Sequence, residues 1–318
     1  MPDGTRSLPV REALEALTSV LDEAAVVVGL GLHRPMRREE LAVYDVGWPV
    51  FQHDPDATED DVHPFVATAD LVVCVGVVEL HQYAGFSGGW KAAVVGCGSR
   101  RVLSELHARE MVCHPDIEVG RLEGNPFRER IDALGSRFEG FALQWTGAGW
   151  VGGEPVEALR TAAAELQPWV ACPTRHDTAI LRVPASKAVN LYQASRAATY
   201  LGLSPSPPLH PGARLVLDAA CREGIGRGSG EAALGRLLAE GRPWAELLTG
   251  PVPSGAGLQR AYMLARLFER FELVVAGCER VDELTALGFD ATEASADEVA
   301  GPDALEVADP FHKLPQAT

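Results

Sequence analysis

The chain has 318 residues, of which 47% are hydrophobic and 23% are charged, and its formal net charge is −16. This length is enough for the cores of two domains, and this charge excludes partners that need a basic surface, such as nucleic acids. No apolar run is long enough for a membrane helix, and the first residues lack the apolar core of a signal peptide. Because the six cysteines form no C-x-x-C pair, we expect reduced thiols in a cytoplasmic protein rather than a zinc site.

The first half of the chain alternates between predicted helices and strands. The apolar spacing predicts helices at 11–22, 36–44, 99–111 and 154–166, and a further helix that begins at Pro126 after a cap at Asn125. The short apolar runs 24–32 and 69–80 are typical of strands buried in a parallel sheet. A histidine follows each run, His33 and His81 respectively. Because ligands bind beyond the carboxyl ends of such strands, two imidazoles placed there could exchange protons with one substrate.

The second half repeats this alternation. Helices are predicted at 186–201 and 256–270, and strands at 213–220 and 271–277. The pattern predicts an α/β protein of two domains, each with a mostly parallel sheet flanked by helices, and an active site in the interdomain cleft. We expect an N-terminal cofactor-binding and catalytic domain at 1–170 and a C-terminal substrate-closing α/β domain at 171–305. A tail at 306–318 could return to the first domain.

A glycine-rich turn, 81-HQYAGFSGGWK-91, connects the second predicted strand to the next helix. Its residues Gly85, Ser87, Gly88 and Gly89 would let the backbone approach a phosphate, and Lys91 follows them. The spacing departs from the Walker pattern G-x-x-x-x-G-K-[ST], so an ordinary nucleotide-triphosphate loop is disfavoured. A plain connection between strand and helix is the alternative interpretation.

Two further features leave alternatives open. The loop 224-GIGRGSG-230 lies between a predicted strand and a helix, as in dinucleotide-binding folds, but its glycine spacing differs from G-x-G-x-x-G. In the helix 186–201, Asn190, Gln193 and Arg196 form one polar stripe. That stripe is either part of a site or a face in contact with solvent.

Six segments in chain order resemble the nickel-dependent lactate racemase family of 2-hydroxyacid racemases and epimerases. They are 3-DGTR-6, 31-GLHRP-35, 81-HQYAGFSGGWK-91, His107, 124-GNPFR-128 and 192-YQASR-196. The resemblance implies a nickel pincer nucleotide, a pyridinium-3-thioamide-5-thiocarboxylic acid mononucleotide, tethered at Lys91 and supplied by cofactor-synthesis enzymes. It also implies that His107 binds the nickel and that His33 and His81 are the paired acid and base.

The same resemblance implies the remaining site residues. The substrate would contact Asp3, Arg6, Tyr192, Gln193 and Arg196, and Asn125 would join the glycine turn in binding the cofactor. Arg196 replaces the lysine of the lactate-specific pattern, and a guanidinium binds a carboxylate with a different reach.

This replacement, together with the polar stretch 175-RHD-177, favours a sugar acid or a hydroxydicarboxylic acid over simple lactate. The expected protein is an isomerase with a small-molecule 2-hydroxy acid substrate, and a short member of the family, since its first motif begins at residue 3. The alternatives are a non-catalytic member that binds the nucleotide and an NAD-dependent hydroxyacid dehydrogenase that uses the loop 224–230.

Overall fold

The computed structural model describes residues 8–31, 33, 35–251 and 257–318. Its α-helices are Val10–Thr18 (α1), Arg38–Leu41 (α2), Pro64–Ala67 (α3), Arg100–Leu106 (α4), Arg109–Val112 (α5), Pro126–Gly135 (α6), Pro155–Leu166 (α7), Leu191–Gly202 (α8), Ser229–Ala239 (α9), Trp244–Thr249 (α10), Gln259–Phe268 (α11), Val281–Ala286 (α12) and Ala296–Ala300 (α13). A 3-10 helix at Ala42–Tyr44 and a π-helix at Ala92–Gly96 complete the helical elements of this part of the chain.

The strands are Val26–Val28 (β1), Val50–Gln52 (β2), Val72–Val77 (β3), Leu80–His81 (β4), Gly85–Phe86 (β5), Gly140–Trp145 (β6), Trp150–Gly153 (β7), Trp169–Cys172 (β8), His176–Arg182 (β9), Leu209–Asp218 (β10), Glu272–Ala276 (β11), Asp290–Ala291 (β12), Leu305–Val307 (β13) and Leu314–Ala317 (β14). Among the helices so described, none has the length and apolar character needed to cross a membrane.

The chain divides into two compact units that interleave along the sequence. The first unit contains the described residues up to Glu79, together with Ala84–Leu106 and Arg121–Gln167. The second contains Leu80–Tyr83, His107–Gly120 and Pro168–Thr318. Two short segments from the first half of the sequence, which carry His81 and His107, therefore belong to the second unit. The domain boundaries expected from the sequence stay a prediction.

The described residues of the first unit form two small sheets. Strand β3 pairs in parallel with β6, which pairs antiparallel with β7, and β1 pairs in parallel with β2. Helix α6 begins as its sequence predicts, because the Asn125 side chain accepts hydrogen bonds from the amides of Phe127 and Arg128 and Pro126 fills the first turn. Asn125 is therefore confirmed as a helix cap.

The second unit contains a five-stranded sheet in the order β12-β11-β10-β9-β13, and every pairing in it is parallel. In the central strand β10, the residues Leu215–Leu217 are fully buried, as expected for a strand covered on both faces. The predicted α/β class with mostly parallel sheets is confirmed. A second parallel pair, β14 with β8, involves a C-terminal segment in which the sequence showed no clear pattern.

Two local predictions were wrong. The helix expected at 99–111 is two helices, α4 and α5, because Ala108 has an extended backbone with ψ of 148°. Leu103, His107 and Met111 therefore do not share one helix face. The break coincides with the passage from the first unit to the second after Leu106, so packing within two different units overrides the local helical spacing. The strands before the two histidines are also shorter than expected, ending at Val28 and Val77.

Candidate active site

The part of the glycine-rich turn that belongs to the first unit, from Ala84 onwards, is tightly packed. Residues 84–90 are all buried, and Gly85, Gly88 and Gly89 have φ angles of +72°, +103° and +59°. A Cβ atom on Gly85 would collide with the Arg121 carbonyl, and one on Gly88 would collide with the Gln144 side chain. Both the backbone conformation and the packing inside the unit therefore require glycine at these positions.

A buried arginine holds this turn. The Arg128 guanidinium donates hydrogen bonds to the carbonyls of Ala84 (3.3 Å), Phe86 (2.5 Å) and Gly88 (3.3 Å). Arg128 is 3% exposed, and Asp132 lies 3.6 Å from it on the same helix, α6. Burial lowers the pKa of Arg128, and the Asp132 charge opposes this effect. Sequence reasoning does not identify Arg128, although this residue closes the motif 124-GNPFR-128, in which only Asn125 is predicted to have a role.

Several groups predicted to bind the nucleotide make hydrogen bonds within the first unit. The Ser87 hydroxyl donates to the Val77 carbonyl (2.7 Å) and accepts from the Glu79 amide (3.0 Å). The Gly89 amide donates to the Gln144 side chain (3.0 Å). The Asn125 side-chain amide donates to the Arg121 carbonyl (3.0 Å). These bonds fix the shape of the turn, and the predicted contacts of Gly85, Ser87, Gly88, Gly89 and Asn125 with a nucleotide stay predictions.

Lys91 and the loop that carries His33 belong to the same part of the first unit. Lys91 directly precedes the π-helix Ala92–Gly96, a rare element that is frequent at functional sites. The backbone at Gly29 approaches the end of this helix so closely that a Cβ there would lie 2.9 Å from the Gly96 Cα. The Gly31 amide also donates to the Gly96 carbonyl (2.9 Å). Lys91 and His33 are both partly exposed.

In the second unit, one aromatic ring joins two of the predicted site histidines. The Tyr83 ring lies edge-on to His81, with centroids 5.7 Å apart, and edge-on to His107, with centroids 5.8 Å apart. The His81 side chain is buried, and its Nδ1 accepts a hydrogen bond from the Tyr83 amide (3.3 Å). In a neutral imidazole this bond favours the tautomer with its proton on Nε2. The structure thus brings His81 and His107 together around Tyr83.

Helix α8 places the second-unit residues with predicted substrate contacts. The Arg196 guanidinium donates to the Gln193 side chain (3.2 Å) and to the Tyr200 hydroxyl (3.0 Å). Gln193 is 8% exposed, so the interpretation of this stripe as a face in contact with solvent is wrong. Asn190 is not part of the stripe, since its side chain caps the helix by accepting from the Gln193 amide (2.9 Å). Tyr192 is joined to α11 by a hydrogen bond from Gln259 (3.3 Å).

The remaining residues named from the sequence lie either outside the described part of the chain or at another place in the second unit. Asp3 and Arg6 lie outside the described residues. Arg175 precedes β9, at the amino end of the parallel sheet, and donates to the carbonyls of Pro207 (3.1 Å) and Leu209 (3.0 Å). The stretch 175–177 therefore does not lie at the carboxyl ends of these strands, where ligands bind in such sheets.

Amides of the loop 224–230 in the second unit donate hydrogen bonds to carboxylates of the protein itself. The Gly228 amide donates to Glu231 (2.5 Å), and the Ile225 amide donates to Glu283 (3.2 Å). In a dinucleotide-binding loop the corresponding amides would face phosphate oxygens. Two carboxylates at the loop would repel a pyrophosphate.

Comparisons with known proteins agree with the motif resemblance. The family model described as the lactate racemase N-terminal domain matches residues 52–120. The lactate racemase of Lactiplantibacillus plantarum is 29% identical over 35% of this chain and 31% of its own length. The lactate racemase of Thermoanaerobacterium thermosaccharolyticum is 35% identical over 23% of this chain and 17% of its own length. The aligned regions thus span less than a third of each relative.

Two solved structures share the fold. The lactate racemase apoprotein from Thermoanaerobacterium thermosaccharolyticum has a TM-score of 0.85 at 18% identity, covering 98% of this chain and 84% of that chain. A protein from Thermotoga maritima has a TM-score of 0.67 at 13% identity, covering 94% of this chain and 87% of that chain. At such identities the likeness establishes the fold, while the family model at 52–120 and the two sequence matches carry the similarity to lactate racemases. Over residues 52–120 this chain is therefore similar to the lactate racemase N-terminal domain, and its fold is that of a lactate racemase apoprotein.

Proposed function

We propose that this protein is a racemase or epimerase of a 2-hydroxy acid, and hence an isomerase, that works in the cytoplasm with a nickel pincer nucleotide. The observation that carries the proposal is the arrangement of His81 and His107 around the Tyr83 ring. These residues come from separate segments of the chain, and both lie in the stretch 52–120 that matches the lactate racemase N-terminal domain. The relatives with matching sequence are named lactate racemases.

The chemistry of the available side chains fits the proposed cofactor. An imidazole is a suitable ligand for nickel, and His107 would supply the one protein ligand that the family resemblance implies. The described residues contain no group of three or more His, Cys, Asp or Glu that could hold a metal ion. Lys91, a partly exposed residue at the end of the glycine turn, would carry the tether on its amine. When bound, the cofactor would supply a reversible acceptor for the hydride on the substrate carbon.

The side chains of the protein would handle protons and orientation. One of the two histidines, His33 or His81, would take the proton of the substrate hydroxyl, and the other would donate a proton when the hydroxyl reforms. Such an exchange of roles suits a reaction that runs in both directions between two stereoisomers. Arg196 would hold the substrate carboxylate, with Gln193, to which it is hydrogen-bonded, fixing the guanidinium plane. Tyr192 would complete the substrate contacts on α8.

The test is to produce the full chain together with the cofactor-synthesis enzymes. We expect a mass adduct on the polypeptide, bound nickel, and inversion of at least one chiral 2-hydroxy acid. Lys91→Ala should lose the adduct, His107→Ala should lose nickel, and His81→Ala should keep nickel while losing inversion. His114→Ala is the matched control, because His114 lies in the same unit with its side chain 44% exposed. Full nickel content and activity in His107→Ala would contradict the ligand assignment.

Neither alternative function gains support from the geometry. A dehydrogenase would need the loop 224–230 to accept a pyrophosphate, and Glu231 and Glu283 already bind its amides. A non-catalytic nucleotide-binding member would show the adduct and nickel without inverting any hydroxy acid. The inversion assay with cofactor-loaded protein therefore separates this alternative from the proposed racemase.

A further inference from the structure

The second unit contains a buried arginine that lies beside the histidine site. Arg260 is the second residue of α11 and is 3% exposed. Its Nη1 donates to the Thr199 hydroxyl (3.0 Å), and its guanidinium carbon lies 5.8 Å from the centre of the Tyr192 ring. Its charge is close enough to Tyr83 to oppose the rise in the Tyr83 pKa that burial causes. The arginine is thus enclosed by aromatic and hydroxyl groups.

This guanidinium has little compensation within the described part of the chain. There no carboxylate is among the groups that act on its charge, and its buried Nε has no hydrogen-bond partner. The neighbouring charge of Arg196 adds repulsion, since it lowers the pKa of Arg260 together with the larger effect of burial. A buried charge without a counter-ion destabilises a fold strongly. Residues that break packing rules in this way are often kept for function.

A polar chain links Arg260 to the segment that carries His81. The Thr199 hydroxyl, which accepts from Arg260, donates to the Gln82 side chain (3.0 Å). Gln82 directly follows His81, the proposed acid or base. On α11, the Gln259 side-chain oxygen is also buried without a hydrogen-bond partner among the described residues. The uncompensated cation therefore lies one hydrogen-bonded residue away from the segment proposed to act on the substrate.

We propose that Arg260 binds a second carboxylate of the substrate, so that this protein acts on a 2-hydroxy dicarboxylic acid. Arg196 would hold the carboxylate next to the reacting carbon, and the single positive charge of Arg260 matches the single charge of one further carboxylate. A guanidinium also fits a carboxylate through two parallel hydrogen bonds. The identification of this ligand as the substrate rests on the proposed function.

The test uses the full chain, with malate as the dicarboxylate and lactate as the monocarboxylate. Arg260→Met removes the charge and keeps an apolar side chain of similar length, while Thr199 can still donate to Gln82. Arg270→Met is the matched control, because Arg270 follows the same helix and is exposed. Two measurements are made on each variant: thermal unfolding of cofactor-free protein with and without each acid, and kcat/KM of cofactor-loaded protein for each acid.

We expect malate to stabilise the wild-type protein more than lactate does, and to lose this effect in Arg260→Met. The ratio of kcat/KM for malate to that for lactate should fall by roughly 10- to 100-fold, the range for a charged hydrogen bond. Without ligand, Arg260→Met should unfold at the same temperature as the wild type or higher, because an uncompensated charge has been removed. Arg270→Met should keep the wild-type ratio and the malate effect.

Three results separate the outcomes. If Arg260→Met unfolds at a clearly lower temperature and keeps the malate preference, Arg260 is structural and the inference is overturned. If loaded wild type inverts lactate as well as malate, the inference also fails, while the proposed racemase function stands. If no hydroxy acid is inverted but malate still stabilises the wild type and not Arg260→Met, the proposed function fails and the dicarboxylate site stands.

Discussion

The contacts of Arg128 predict that the glycine-rich turn depends on one guanidinium. Arg128→Lys keeps the positive charge beside Asp132 but replaces the planar guanidinium with a compact ammonium. The ammonium cannot reach all three carbonyls of Ala84, Phe86 and Gly88. A hydrogen bond that involves a charged group contributes about 1.5–3 kcal/mol. Because the site is buried, a carbonyl that loses its donor has little access to water. Loss of one to two such bonds should therefore lower the free energy of unfolding by about 1.5–6 kcal/mol.

Thermal unfolding of the full chain, with Arg130→Lys as control, measures this effect. Arg130 lies on the same helix, but its pair with Glu105 is at the surface, where such a pair contributes at most about 1 kcal/mol. With about 2–4 °C for each kcal/mol in a large domain, Arg128→Lys should lower the midpoint by roughly 3–24 °C. Equal shifts in the two variants would refute the reasoning, because the carbonyl contacts would then contribute nothing beyond a surface ion pair.

Two further predictions concern the first unit. Burial lowers the pKa of His53 from its usual 6.5, so as the pH drops below that value the unfolded chain binds a proton more readily than the folded protein does. The free energy of unfolding should therefore fall as the pH drops below 6.5. His53→Gln should weaken this pH dependence of thermal unfolding. An unchanged pH profile in that variant would exclude His53 as the cause. Gly88→Ala should destabilise by about 2–4 kcal/mol, since it combines a φ of +103° with a collision with Gln144. Gly147→Ala, with φ of +89° and no neighbouring atom within 4 Å, should lose only about 1 kcal/mol, and similar losses in both would contradict the packing argument.

Much of the fold could be predicted from local sequence. Helix α6 begins with Asn125 and Pro126, and helix α7 begins with Glu154 and Pro155. The Asn125 and Glu154 side chains accept hydrogen bonds from the first free amides of their helices. The parallel sheet of the second unit follows from continuous apolar runs such as 213–220. These features depend on neighbouring residues, which is why composition and spacing reveal them.

Features that depend on distant contacts could not be predicted in this way. The spacing around His107 fits one helix. The chain is nevertheless broken at Ala108, because the segments before and after Leu106 pack in different units. The pairing of β14 with β8 joins segments far apart in the chain. The meeting of His81 and His107 at Tyr83 is of the same kind. Motif resemblance named both histidines, but only the fold shows which aromatic ring they share.

The two buried arginines show how the structure separates a structural charge from one assigned to a ligand. Arg128 and Arg260 are equally buried, each 3% exposed. Arg128 donates to three carbonyls and lies beside Asp132. Groups of the protein itself thus compensate the Arg128 charge, and removing this side chain should destabilise the first unit. Within the described residues Arg260 donates only to the Thr199 hydroxyl, so removing its charge should not destabilise the second unit. In the absence of ligand, a lower unfolding temperature is therefore expected for Arg128→Met but not for Arg260→Met, and this contrast tests both assignments with one measurement.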